Sequence, residues 1–179
     1  MIQKATFYED RMSYKTKIKK QGLSAIFDIK GNVSAVSERI SYLDLPMPTV
    51  ANTASAHDGQ HLCWVGEDHW ILLAPADQEN KLLESLAPND PALDCRIVHV
   101  SDAYSIFTVV GEQADDIMAI ASPLDTRPNK FADNGATYAE FFGIRGLVIR
   151  LSDGYIVAVE RSYADMITAY FDKVSTGKS

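Results

Sequence analysis

Two stretches of this chain are variations on one pattern, and that duplication constrains the fold more than any single motif. The first is FDIKGNVSAVSERISYLDLPMP, from Phe27 to Pro48, and the second is FTVVGEQADDIMAIASPLDTRP, from Phe107 to Pro128. Each opens with an alternating apolar strand closed by a glycine, Gly31 or Gly111. Each continues at helical spacing, with Val33, Val36, Ile40 and Leu43 in one and Ala114, Ile117, Met118 and Ala121 in the other. Each then reaches a Leu-Asp pair and a proline that stops helix growth.

The parallel continues downstream. Val65–Leu86 and Leu151–Phe171 both read as a strand end, an acidic turn, a second strand and a helix. Glu67-Asp68 and Asp153-Gly154 fit hairpin turns between apolar runs. Trp70 matches Tyr155 and Leu82 matches Ile167, both at an offset of 85, whereas Phe27 and Phe107 differ by 80. One loop-sized insertion reconciles the two offsets. The expected fold class is therefore α+β, with two tandem pseudo-symmetric β-α-β-β-α repeats whose helices cover one face of an antiparallel sheet.

The expected organisation is a basic N-terminal arm over residues 1–22 and a single domain over 23–175. Repeat one spans 23–95 and repeat two 96–175. Ala87–Cys95 reads as a linker broken by Pro88 and Pro91, and Pro48–Gln60 as a loose polar loop. The lead-in of repeat two, Arg96 to Gly111, is long enough to serve both sheets or to bend at Asp102.

At 179 residues, 46% hydrophobic and 23% charged, the composition is that of an ordinary globular protein. No apolar run is long enough to span a membrane, and the first residues lack the apolar core of a signal peptide. Cys63 and Cys95, the only cysteines, imply no disulfide framework, so the expected compartment is the cytoplasm. A net charge of −7 argues against nucleic-acid binding. The charge is uneven: residues 1–20 hold Lys4, Arg11, Lys15, Lys17, Lys19 and Lys20 against Glu9 and Asp10. That arm is either a solvated terminus or one that docks on an acidic partner surface, and Phe7 and Tyr14 suit docking.

The segment VHVSDAYS, Val98 to Ser105, gathers His99, Ser101 and Asp102, the residue types of a hydrolase triad. On a strand, however, Asp102 points away from the other two, and no G-x-S-x-G elbow exposes the serine. A strand-end bend is the better reading, its side-chain oxygens satisfying backbone N–H groups. His57, His61, Cys63 and His69 are residue types that bind zinc, but without zinc-site spacing they read as a solvated loop. Gly143 and Gly146 are a lone glycine pair, and the terminal TGKS lacks the upstream glycine of a phosphate loop. Trp64, Trp70, Phe107, Phe141, Phe142 and Tyr155 are expected on strands as core. Arg127 beside Asp125 reads as a surface ion pair. No residue is assigned as catalytic, cofactor-binding or metal-binding.

Four segments, in their order and spacing, carry a family resemblance: VGEDHWILL (Val65–Leu73), VSDAYSIFTVVG (Val100–Gly111), SPLDTRPNKF (Ser122–Phe131) and VERSYADMITAYF (Val159–Phe171). Together they resemble the gamma subunit of heterotetrameric sarcosine oxidase, over about Leu23 to Val174. That family is similar in turn to the folate-binding domain of the glycine-cleavage T-protein, an aminomethyltransferase, whose fold is two sheet-and-helix repeats.

The resemblance implies a non-catalytic subunit with a structural role in an oxidoreductase complex that demethylates sarcosine to glycine and passes one carbon to tetrahydrofolate. It implies no cofactor on this chain, with FAD, FMN, NAD and tetrahydrofolate on the larger alpha and beta subunits. An apolar face left bare without those partners would lend itself to self-association. Two departures stand out. T-proteins carry paired aspartates where Thr137–Gly146 here holds one acid, Glu140, and Ala121-Ser122 replaces a Gly-Cys type pair. The alternative is a stand-alone folate-binding or aminomethyltransferase-like domain, with Glu140 in a cleft within reach of a pterin.

Overall fold

The structure, a computed structural model, describes residues 15–88 and 94–176. Its elements run β1 (Thr16–Lys20), β2 (Ser24–Gly31), α1 (Val33–Ile40), β3 (Ala54–His57), β4 (Gln60–Gly66), β5 (His69–Pro75) and α2 (Glu79–Leu86). The second half repeats the order: β6 (Cys95–His99), β7 (Tyr104–Gly111), α3 (Ala114–Ala121), β8 (Ala136–Phe141), β9 (Ile144–Leu151), β10 (Gly154–Glu160) and α4 (Ala164–Thr176). Two five-stranded antiparallel sheets result. Sheet 1 has the order β6-β2-β5-β4-β3 and sheet 2 the order β1-β7-β10-β9-β8.

Element by element the two orders are the same, so the pseudo-twofold is real, and each repeat carries one strand more at its start than the sequence pattern shows. That strand goes to the other repeat's sheet. β1 pairs with β7, and β6 pairs with β2. The lead-in of repeat two thus serves both sheets, turning at Ser101–Ala103 in a short 3-10 segment. Residues 16–20 of the expected arm are the edge strand of sheet 2. Residues 1–14 lie outside the described residues, as do 89–93 of the linker.

Period-two alternation builds four layers. On β2, Phe27 and Ile29 face the helices and pack with Val36, Ile40, Leu82 and Leu86. On β7, Phe107 and Val109 do the same with Ile117, Met118, Ile167 and Phe171. The intervening positions, Ile26 and Ile106, join Ile71, Leu73, Leu147 and Ile149 in a third core between the sheets. Trp70, Tyr155, Leu82 and Ile167, the residues matched at offset 85, are all fully buried.

The helices start differently. Asn32 caps α1 by accepting the Ala35 N–H at 2.9 Å, whereas α3 has no side-chain cap and places Asp115 and Asp116 in its first turn.

The Pro48–Gln60 segment is more ordered than its composition suggests. β3 lies inside it, and Asp58-Gly59 turns it into β4. Just before β3, Thr53 bridges Gly135, and Ala54 N–H donates to Asn134 C=O at 2.7 Å. Backbone pairing therefore joins the two sheets along their β3 and β8 edges.

Candidate functional site

Three polar clusters are built into this frame. The first lies where the chain crosses from β6 to β7. His99 Nε2 is 2.7 Å from Glu79 Oε1, and Ser101 Oγ is 2.8 Å from the same oxygen and 2.7 Å from the same nitrogen. The acid that meets His99 and Ser101 is thus Glu79, at the start of α2, and not Asp102, which is exposed. A hydrolase relay needs both ring nitrogens, one held by the acid and one receiving the serine proton. Here acid and serine compete at a single nitrogen, and the serine has no free base.

The same hydroxyl accepts the Ile26 N–H at 2.9 Å, and Arg161 donates to the Ser101 carbonyl at 3.2 Å. The cluster anchors the crossing chain to both sheets. Hydrogen bonds from Ser101, and then from His99, hold the Glu79 carboxyl below its ordinary range. The strand-end reading of Ser101 is correct in kind. Glu79 arrives from another element, and no local pattern marks it.

The second cluster centres on Arg150, whose side chain is only 12% exposed. It donates to the carbonyls of Thr126 and Phe131 at 2.5 and 3.3 Å and stacks 5.5 Å from the Tyr155 ring centroid. The Tyr155 hydroxyl donates to Asp115. Burial, then the Asp115 contact, pushes Tyr155 up to about 12. An open cleft of about 770 Å³ lies over this cluster, with Glu112, Asp133 and Asp153 on its rim. Arg150 thereby fastens the Ser122–Gly135 loop to sheet 2. A charged residue in the apolar run LVIRL is the one sequence signal that could have marked it.

The third cluster lies on the inner face of sheet 2. The Tyr104 and Tyr138 hydroxyls are 3.2 Å apart, and the Arg145 guanidinium sits 3.9 Å above the Tyr138 ring. Desolvation, then Tyr104, raises the Tyr138 pKa well above its usual value. On sheet 1, Asp28 and His69 pair at 3.2 Å. Glu140 stands exposed on β8 opposite Arg145 of β9.

The remaining sequence candidates separate. His57, His61 and Cys63 are not in a solvated loop: they occupy the β3–β4 hairpin, and Cys63 is fully buried between the sheets. Burial raises the Cys63 thiol pKa and lowers that of His61, which leaves no thiolate ligand there. No metal-holding group of His, Cys, Asp and Glu occurs among the described residues.

Gly143 lies in the β8–β9 turn and Gly146 inside β9. Of the terminal TGKS, residues 177–179 lie outside the described residues. Trp64, Trp70, Phe107, Phe141 and Tyr155 are on strands as expected. Phe142 is not: it occupies the turn with φ 47°. Arg127 and Asp125 form an exposed pair at 2.5 Å that holds the Asp125 carboxyl down to about 2. Ser122 Oγ donates to the Glu140 carbonyl at 2.5 Å, a packing role for that position. No helix among the described residues is long and apolar enough to cross a membrane.

The model of the sarcosine oxidase, gamma subunit family matches residues 30–177. No curated protein sequence matches. Among solved structures, a chain of the heterotetrameric sarcosine oxidase from Corynebacterium sp. U-96, in complex with pyrrole 2-carboxylate, superposes with a TM-score of 0.73 at 14% identity, covering 89% of this chain and 84% of that one. The glycine cleavage system aminomethyltransferase T from Bartonella henselae superposes with a TM-score of 0.65 at 14% identity. It covers 87% of this chain, which spans only 45% of that one. At these identities the likeness is one of fold, and it is the duplicated α+β fold expected from the repeats.

Proposed function

The chain belongs to the sarcosine oxidase gamma subunit family, and from that premise we propose that it works as the gamma subunit of a sarcosine-oxidase-type complex, by assembly and without chemistry of its own. The family match over residues 30–177 carries this reading. The placement of the polar clusters supports it. Ser101 and Glu79 hold the strand crossing, and Arg150 and Asp115 hold a loop and a helix end. The reaction served would be oxidative demethylation of sarcosine to glycine with one-carbon transfer to tetrahydrofolate, in the cytoplasm. FAD, FMN, NAD and tetrahydrofolate would sit on the larger alpha and beta subunits.

A stand-alone folate-binding or aminomethyl-transferring domain is not favoured. The aminomethyltransferase likeness is one of fold, and this chain spans less than half of that protein.

The test is a tagged pull-down from native cells at low salt, with mass spectrometry and a visible spectrum of the eluate. Two larger chains and a flavin band are expected. A solitary, colourless protein under conditions where the larger subunits are intact would defeat the proposal.

A further inference from the structure

The two pseudo-equivalent edge strands, β6 of sheet 1 and β1 of sheet 2, are finished differently. On β6 the positions facing the helices are closed, with Cys95 7% and Ile97 1% exposed. On β1 the matching positions, Thr16 and Ile18, are only partly buried. Between β1 and α4 runs an open groove of about 330 Å³, floored by Ile18, Phe107 and Phe171, flanked by Thr16 and Thr168, with Lys17, Lys20 and Asp172 also in its lining. Thr16 Oγ1 is out of contact with solvent and has no hydrogen-bond partner among the described residues.

The backbone of β1 is also half used. Gln21 N–H donates to Ile106 C=O at 2.8 Å, and the register then makes Lys19–Thr108 and Lys17–Val110 the hydrogen-bonded pairs. The N–H and C=O groups of Thr16, Ile18 and Lys20 point the other way. No strand lies on that side among the described residues.

The charges complete the pattern. Ile18 packs toward the helices, so alternation puts Lys17 and Lys19 on the opposite face. Both are exposed, and neither has an ion-pair partner among the described residues. Among the described residues, the ion pairs of Lys15 and Lys20 are long and exposed, to Glu112 at 3.8 Å and Asp165 at 3.9 Å.

We propose that the outer edge of β1 is a docking strand that takes an extended segment of a larger subunit, with side chains alternating apolar and acidic. This deepens the gamma-subunit reading and rests on it. An added strand would satisfy the outward N–H and C=O groups of Thr16, Ile18 and Lys20. It would send alternate apolar side chains into the groove and the intervening acids toward Lys17 and Lys19. Lysines on an open edge discourage pairing with neutral or basic strands, so the same residues that guard the edge select its occupant.

The test is amide hydrogen exchange of the full chain by NMR during titration with a seven-residue peptide alternating glutamate and valine. A peptide alternating lysine and valine is the control. Saturable binding of the acidic peptide is expected, with the Ile18 and Lys20 amides slowed about tenfold or more. The basic peptide should have no effect, and a Lys17→Glu/Lys19→Glu double variant should weaken binding about tenfold.

Equal exchange at saturation, or equal binding of the two peptides, would overturn the proposal. So would Ile18 and Lys20 amides already slow in the free chain, since the edge would then be occupied. Exchange in the co-purified complex separates this proposal from the one beneath it. A complex that forms with both amides unprotected keeps the gamma-subunit reading and removes the docking strand. Failure to find any complex removes the gamma-subunit reading, and the peptide titration still decides the chemistry of the edge.

Discussion

Repeat one and repeat two carry the same elements in the same order, yet they solve the same local problems with different residues. The hairpin turn between β3 and β4 is Asp58-Gly59, with φ 48° and 74°, a common sequence for a turn with two positive φ angles. The matching turn between β8 and β9 is Phe142-Gly143, with φ 47° and 82°. A bulky side chain in that conformation costs about 1–2 kcal/mol. It is held because the Phe142 ring meets Phe141, Tyr170 and Phe171 at 5.0, 5.1 and 5.6 Å. Tyr170 and Phe171 are the seventh and eighth residues of α4, and at the same offset of 85 the equivalent residues of α2 are Ser85 and Leu86, which offer no aromatic ring. Aromatic residues near the end of one repeat's helix hold a turn residue for which the other repeat has no partner. In this fold, then, the residues of the second helix and the turn sequence vary together.

The largest effect that separates the halves is expected at Gly154. A Cβ there would sit 2.0 Å from the Val109 carbonyl oxygen, between two central strands. Gly154→Ala is expected to destabilise the chain by about 3 kcal/mol or more in urea unfolding. The equivalent residue in repeat one is His69, and His69→Ala should cost about 1 kcal/mol or less.

The two strand crossings come next. Ser101→Ala leaves the buried Ile26 N–H without its acceptor and should cost about 1–3 kcal/mol. The equivalent crossing holds Gly22, with nothing within 4 Å of an added Cβ, so Gly22→Ala should change stability by less than about 0.5 kcal/mol. Similar losses at both crossings would break the comparison.

The Phe142 turn gives a smaller effect. Both Phe142→Asn and Phe142→Ala lose the ring contacts, but only Asn tolerates the positive φ well. The alanine variant should be the less stable by about 1 kcal/mol. Equal stabilities would mean that the turn carries no strain.

The pH limits of stability form the finest distinction. Glu79, in repeat one, has its carboxyl held below the ordinary value by Ser101 and His99. Its contribution is full above the unfolded pKa of about 4.3 and is lost as pH falls through the lower folded value. Glu79→Gln should flatten that acid limb. Tyr155, in repeat two, is pushed up to about 12 by burial and Asp115. Its contribution is full below about pH 10 and is lost as pH rises from there toward 12. Tyr155→Phe should flatten only the alkaline limb.

Much of this fold is legible in the sequence because its cores are built from strong periodic patterns. Phe27 and Phe107 announce the central strands, and Trp70 and Tyr155 mark the same buried position in both repeats. Of the two exchanged strands, β6 is legible in part, as the long lead-in of repeat two, and β1 is not. In TKIKK only Ile18 contributes to a core, so β1 reads as a solvated basic arm. β3 is an edge strand of small residues, Ala54 to His57, and its pairing comes from backbone bonds to β4 and to the loop before β8. The Ser101 cluster is half legible. His99 and Ser101 stand two apart on a strand, but Glu79 reaches them from a helix start that the local pattern does not link to them.

The central claim is that the polar clusters of this chain hold its shape for assembly and carry out no step of the reaction. Sarcosine-dependent oxygen consumption, measured per assembled complex carrying Glu79→Gln or Ser101→Ala, tests it most directly. The account predicts a kcat unchanged from the unsubstituted complex, with any loss confined to the amount of complex recovered. A kcat that falls tenfold or more in fully assembled complex would contradict it.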